Sequence, residues 1–147
     1  MGRTGVACVL ALLAVAGCGG RVSAPQACIQ AQSRDVLRAL THAPDRVALD
    51  DGTPLSQCVR HTVDDVRLQA LGAALTQAAD ALAQRMRTSE AAAYQLGFLI
   101  GATARGAAQA AGLQDDLARR VAGSAGLDGG PRRAALMRGR AAGLRAG

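Results

Sequence analysis

The side chains that could carry chemistry are four cysteines, two histidines and a scatter of aspartates. Cys58 and His61 stand at a Cys-x-x-His spacing, with Cys28 and His42 as further candidate ligands. Zinc needs four such groups converging tetrahedrally, and the outer pair has no recognised ligand spacing. The same two cysteines could instead join in a disulfide, and the compartment decides between the two outcomes. Asp45, Asp50 and Asp51 lie together ahead of Gly52, but a calcium loop places its oxygen ligands at alternating positions. Here Asp50 and Asp51 are adjacent and the upstream position is Val47. Asp51-Gly52 reads better as a turn, with Thr53 capping the next helix and Pro54 at its first position. His61 with Asp64 or Asp65 could orient an imidazole as a catalytic triad does. Ser56, however, lies five residues earlier on another side of the same helix, and no glycine-flanked nucleophile appears elsewhere. A surface His–Asp pair explains the spacing. Glu90 is the only glutamate, and neither a phosphate loop nor a dinucleotide fingerprint is present. The expectation is a non-enzyme that uses no metal and no cofactor.

The compartment is read from the first eighteen residues. Met1–Gly17 has a charged start at Arg3 and an apolar stretch from Gly5 to Ala16, long enough for a signal sequence and too short to span a membrane. It closes on Val15-Ala16-Gly17-Cys18. This tetrad resembles the cleavage motif of bacterial lipoproteins, a small or aliphatic triplet before a cysteine. The resemblance implies that residues 1–17 are removed and that Cys18 becomes a lipidated first residue. The remaining 130 residues (147 minus 17) would sit outside the membrane, held by their N-terminus. A plain secretory signal could be cut after Val22-Ser23-Ala24, but Pro25 would then follow the cut, which signal peptidases reject. Two or three acyl chains anchor stably, since each buried methylene contributes about 0.8 kcal/mol and one chain alone is marginal.

Export leaves Cys28 and Cys58 as an even pair in an oxidising compartment, which favours a disulfide over zinc. It would staple the start of the first helix to the start of the second. Closing the loop between them is worth roughly 3–4 kcal/mol in the chain-entropy model. The staple also requires the two helix starts to lie side by side, which favours an early end to the first helix so that the chain can return.

Composition points to helices. Half of the residues are apolar, most of them Ala, Leu and Val, and only Tyr94 and Phe98 are aromatic. Small aliphatics suit closely packed helices better than a sheet. The chain contains no lysine, so its 17 basic residues are all arginine. Residues 18–128 hold eleven arginines against eleven acids and are neutral, whereas Arg132, Arg133, Arg138, Arg140 and Arg145 have no acid among them. The basic character therefore belongs to the last stretch of chain. In an exported protein its partner would be an anionic lipid or envelope polymer rather than nucleic acid.

Residues 18–26 read as a short tether, 27–122 as a helical domain, and 123–147 as a Gly-rich linker with an arginine-rich tail. The first helix is predicted over Ala27–Ala43, stopped by Pro44. Leu55–Arg87 carries an amphipathic stripe of Val59, Val63, Val66, Leu68, Leu71, Leu75, Leu82 and Met86, with Ala78 and Ala79 filling its gap. As one helix it would be about 50 Å long, so it either overhangs its neighbours or breaks, most readily at Gly72. Thr88-Ser89-Glu90 caps a third helix to about Ala111 that is apolar on every side, the predicted centre of the bundle. Gly97 and Gly101 on it would let a neighbouring helix approach closely. Leu113–Val121 makes a fourth helix, with Asp115 and Asp116 in its first turn and Arg119 and Arg120 in its last. The tail is expected to be solvated and at most weakly helical. As a helix it would place Arg133 and Arg140 in the sector of Leu136, Met137 and Leu144, a poor arrangement for a membrane surface.

The fold expected is an all-α bundle of three to four helices, the first two stapled by a disulfide. The function expected is that of a membrane-anchored extracytoplasmic lipoprotein, a non-enzymatic interaction or structural module of the cell envelope. The alternative is a helical carrier whose bundle holds an apolar ligand, with Tyr94 and Phe98 near the cavity.

Overall fold

A computed structural model describes residues 23–110, 112–125 and 131–147. The expected signal, Cys8, Cys18 and the expected tether as far as residue 22 lie outside the described residues, as does part of the Gly-rich linker. The described residues are all-helical, with one isolated backbone bridge between Ala48 and Pro54. Among them, seven helices replace the three or four expected: α1 (Gln26–Gln30), α2 (Ser33–Leu40), α3 (Leu55–His61), α4 (Asp65–Arg85), α5 (Glu90–Ala107), α6 (Leu113–Gly123) and α7 (Pro131–Ala146). Cys28 on α1 and Cys58 on α3 form the expected disulfide, with their Cα atoms 5.1 Å apart and both residues buried.

The extra helices arise from caps inside stretches that read as continuous. The first helix is two, because Gln32 and Asp35 form a capping box that starts α2 afresh; the Asp35 carboxylate accepts from the Gln32 backbone N–H at 3.0 Å. The long stripe breaks at Thr62–Asp64 and not at Gly72. There the Asp64 carboxylate caps α4 by accepting from the Arg67 backbone N–H at 2.9 Å. Gly72 stays inside α4, where a Cβ would touch the Leu117 side chain at 3.3 Å. Asp51-Gly52 does form the turn, with Gly52 at φ 84. The cap expected from Thr53 is not formed: α3 has no side-chain cap bond, Pro54 stands at its N-cap, and Asp51 accepts from the Thr53 N–H at 2.9 Å within the turn.

The core runs through Val36, Leu40, Leu55, Val59, Leu75, Leu82, Leu96, Phe98, Leu99 and Val121, all fully buried. Helix α5 sits at its centre, capped by Ser89 as expected, and packs against α3, α4, α6 and α7. It ends at Ala107, short of the expected limit, and Gly112 at φ 79 serves the start of α6 instead.

Residues 131–147 are the main departure from the sequence reading. They do not float as a solvated tail; they form α7, docked along α5. The docking face is small. A Cβ on Gly97 would collide with the Leu136 carbonyl and lie 2.8 Å from the Arg140 backbone nitrogen, and one on Gly101 would lie 2.7 Å from the Leu144 nitrogen. From the other side, Gly139 abuts the carbonyl of Tyr94 and Gly143 that of Phe98. The neighbour that Gly97 and Gly101 admit is therefore α7, which brings its own glycines at the same four-residue spacing. Residue numbers rise together along the seam, so the two helices run parallel, with α6 in the connection between them. Backbones this close make Cα–H···O contacts, which recur at tight helix–helix interfaces.

Candidate functional site

The stretch that the sequence singled out for contact is the set of arginines on α7. Arg133, Arg138, Arg140 and Arg145 are exposed, and Arg132 is half-buried with its Nε shielded and without a hydrogen-bond partner. The side of α7 turned to α5 is made by Ala135, Gly139, Ala142 and Gly143, all buried. Its opposite side carries Ala134, Met137, Ala141 and Leu144, all exposed, at steps of three and four. Met137 is 51% and Leu144 46% accessible. At 100° per residue, Arg133 and Arg140 flank this strip on one side and Arg138 and Arg145 on the other. Arg133 and Arg140 lie between this strip and the half-buried Leu136, in the sector expected of them. The strip was not legible in the sequence because residues 132–147 were expected to be solvated, with Leu136, Met137 and Leu144 as the apolar side. The four-residue run of small side chains at 135, 139 and 143 was the available signal.

Elsewhere only some charges pair: among the described residues Arg34, Arg38, Arg119 and Arg120 meet carboxylates, whereas Arg46, Arg60, Arg67, Arg85 and Arg87 have none within ion-pair distance. Arg38 pairs with Asp35 at 3.0 Å and with Asp50 at 2.7 Å, and Arg120 pairs with Asp116 at 2.7 Å. Arg119 bonds Asp115 one turn earlier. The guanidinium of Arg120, hydrogen-bonded to Asp116 and reinforced by Arg119, holds the Asp116 carboxyl below its ordinary value. The Asp51 carboxyl is likewise held low by the backbone and side-chain hydrogen bonds of Thr53. Among the described residues no α7 arginine has a carboxylate partner within ion-pair distance.

The other constellations are taken up by structure. Cys28 and Cys58 are bonded to each other and so hold no thiolate for zinc. Asp50 and Asp51 are engaged by Arg38 and Thr53. His61 closes α3 while Asp64 caps α4, so the chain break separates the pair that one helix would have aligned. Ser56 is buried, and its hydroxyl donates to the Gly147 carbonyl, tying α3 to the end of α7. The Arg105 guanidinium makes a second such tie to the Arg145 carbonyl.

One apolar cleft of about 350 Å³ opens between α4 and α6, lined by Val66, Leu68, Gly72, Leu113 and Leu117, with Asp65, Gln69 and Arg120 at its edge. Val66 and Leu113 are exposed there. Tyr94 and Phe98 do not line it; Phe98 is fully buried in the core and Tyr94 is partly covered. No described helix is long and apolar enough to cross a membrane. Compared with known proteins, the chain matches no family model, no curated protein and no solved structure.

Proposed function

We propose that this chain is a membrane-anchored lipoprotein whose domain stands outside the cytoplasm, held by lipid on Cys18, as a non-enzymatic interaction or structural module of the cell envelope. The observation that carries the reading is the buried Cys28–Cys58 disulfide in a chain that opens with a lipoprotein-like cleavage motif. Such bonds persist in exported proteins and are reduced in the cytosol. The engagement of Ser56, Asp50, Asp51 and Asp64 in caps and ties supports a non-enzymatic role. An intact mass of the native protein, taken without and with reductant, tests the proposal. The expected species is Cys18–Gly147 plus acyl chains, gaining two hydrogens on reduction. A mass that includes Met1, or one unmoved by reductant, would sink it.

The α4–α6 cleft favours a second reading, a carrier for an apolar ligand. Its volume falls within the range of small-molecule sites, and its walls are aliphatic with a few polar groups at the rim. Solvent extraction of a detergent-free preparation checks it. Co-purified lipid that a bulky Gly72→Phe substitution displaces would favour the carrier, and an extract without lipid would remove this reading.

A further inference from the structure

We infer that the outer face of α7 is a docking surface for the anionic phospholipid headgroups of the membrane that holds the anchor, so that the domain lies against its own bilayer. The inference rests on the proposed lipid anchor for its geometry and on α7 itself for its chemistry.

The chemistry is a narrow apolar strip set among unpaired cations. Ala134, Met137, Ala141 and Leu144 make an exposed strip, and Arg133 with Arg140 and Arg138 with Arg145 line its two borders. Arginines in that position lay their methylene stems along the apolar boundary and turn their guanidinium groups to headgroup phosphates. The same pattern argues against a second copy of this chain as occupant. Facing strips would bring arginine borders together, and α7 has no acid to offset them. The apolar area is small, so the strip alone binds weakly. The cationic borders make the binding selective for an anionic surface.

The geometry keeps one end of α7 close to the start of the domain. Cys28 on α1 is bonded to Cys58 on α3, and Ser56, two residues earlier on α3, hydrogen-bonds Gly147 just beyond α7. The start of the domain and the end of α7 therefore adjoin the same short helix. From Cys18 to Gln26 the chain can extend at most about 28 Å, so a tether rooted there keeps the Arg145 end of α7 within reach of the bilayer. That confinement raises the effective concentration of headgroups at α7 far above what a free domain would meet.

The chain contains no tryptophan, so one introduced on the face reports alone. Met137→Trp is placed in the full chain, with Gln84→Trp, at an exposed site near the end of α4 remote from α3, as the control. Each protein is reconstituted in phosphatidylcholine vesicles, with and without one-third phosphatidylglycerol, that contain brominated acyl chains. Mass spectrometry of the same vesicles reports acylation of Cys18 separately. The expected result for Met137→Trp is blue-shifted, quenched fluorescence on anionic vesicles and little change on neutral ones, with the control unquenched on both. Replacing Arg133, Arg138, Arg140 and Arg145 with Gln should abolish the quenching while circular dichroism stays unchanged. Each arginine should contribute roughly five-fold to partitioning of a non-acylated chain at low salt. An α7 indole left unquenched on anionic vesicles, or quenched equally on neutral ones, would overturn the docking. One that stays unquenched on vesicles but responds to soluble polyphosphate would overturn it in favour of an envelope polymer. Quenching without acylation of Cys18 would uphold the docking and remove the anchor, so the two readings fail separately.

Discussion

A single methyl group on Gly97 would stand 2.8 Å from the backbone nitrogen of Arg140, closer than packed atoms tolerate. The obstacle is backbone, which cannot swing aside as a side chain can. Gly97→Ala should therefore push α7 off α5 despite the gain in helix propensity that alanine brings, about 1 kcal/mol. The expected net loss is about 3 kcal/mol, with a fall in melting temperature of roughly 10 °C or more. Gly139→Ala, which meets the Tyr94 carbonyl, should behave alike. Gly123→Ala, with nothing within 4 Å, should stay within about 0.5 kcal/mol of the parent. Thermal and urea melts of the three variants check the set, and equal losses in all three would refute close packing as the cause.

Removing the staple should be costly. Replacing both Cys28 and Cys58 by Ser frees the chain between α1 and α3 in the unfolded state, and about 3–4 kcal/mol of stability should go with it. Unfolding free energies from urea melts of the parent with and without reductant should differ by a similar amount. A reduced parent as stable as the oxidised one would show that packing alone holds α1 against α3.

The hydroxyl of Ser56 and the carbonyl of Gly147 are matched inside the protein. Ser56→Ala leaves that carbonyl without its donor, at a cost of about 1–2 kcal/mol. The damage should be local, with faster amide exchange over the last turn of α7 and little change in α4. Exchange accelerated uniformly along the chain would contradict this.

Acid should weaken the Asp116–Arg120 pair of α6. Asp116 is held below its ordinary value of 3.8, so the folded form gains stability from the ionised group above that value and loses it as pH falls through the lowered one. Asp116→Asn should flatten the decline in stability between about pH 5 and pH 2, and molar salt should shrink the difference between the two proteins. Both effects should be small, because the pair is exposed to solvent. An identical decline in parent and variant would mean that the pair contributes nothing.

Where local chemistry and large apolar side chains agree, the fold was legible from the sequence. Ser89 caps α5, Gly52 makes the turn, Ala78 and Ala79 fill the stripe, and the cysteines meet. The break between α3 and α4 was hidden because Val59, Val63 and Val66 continue a helical spacing across it, and yet Val63 and Val66 end up exposed. Asp64, which ends the run, is the short polar type that caps helices, but among so many aspartates it did not stand out. Gln32 hid the other break, since glutamine reads as a helix former. The candidate surface was half visible. Its arginines could be counted, but the side on which α7 docks carries only alanine and glycine, which periodicity of bulky residues does not detect. Once that side is known, the arginines fall into two borders.

The parallel seam between α5 and α7 also sets an order of events in the life of the chain. Helix α5 precedes α7 in the chain, and until residues 131–147 dock the backbone along Tyr94, Gly97, Phe98 and Gly101 lacks that neighbour. The domain is thus sealed from its carboxy-terminal side, by its last described helix. A protease that clipped within α7 would reopen the centre of the molecule, and a nick that elsewhere would trim an appendage would here dismantle the fold.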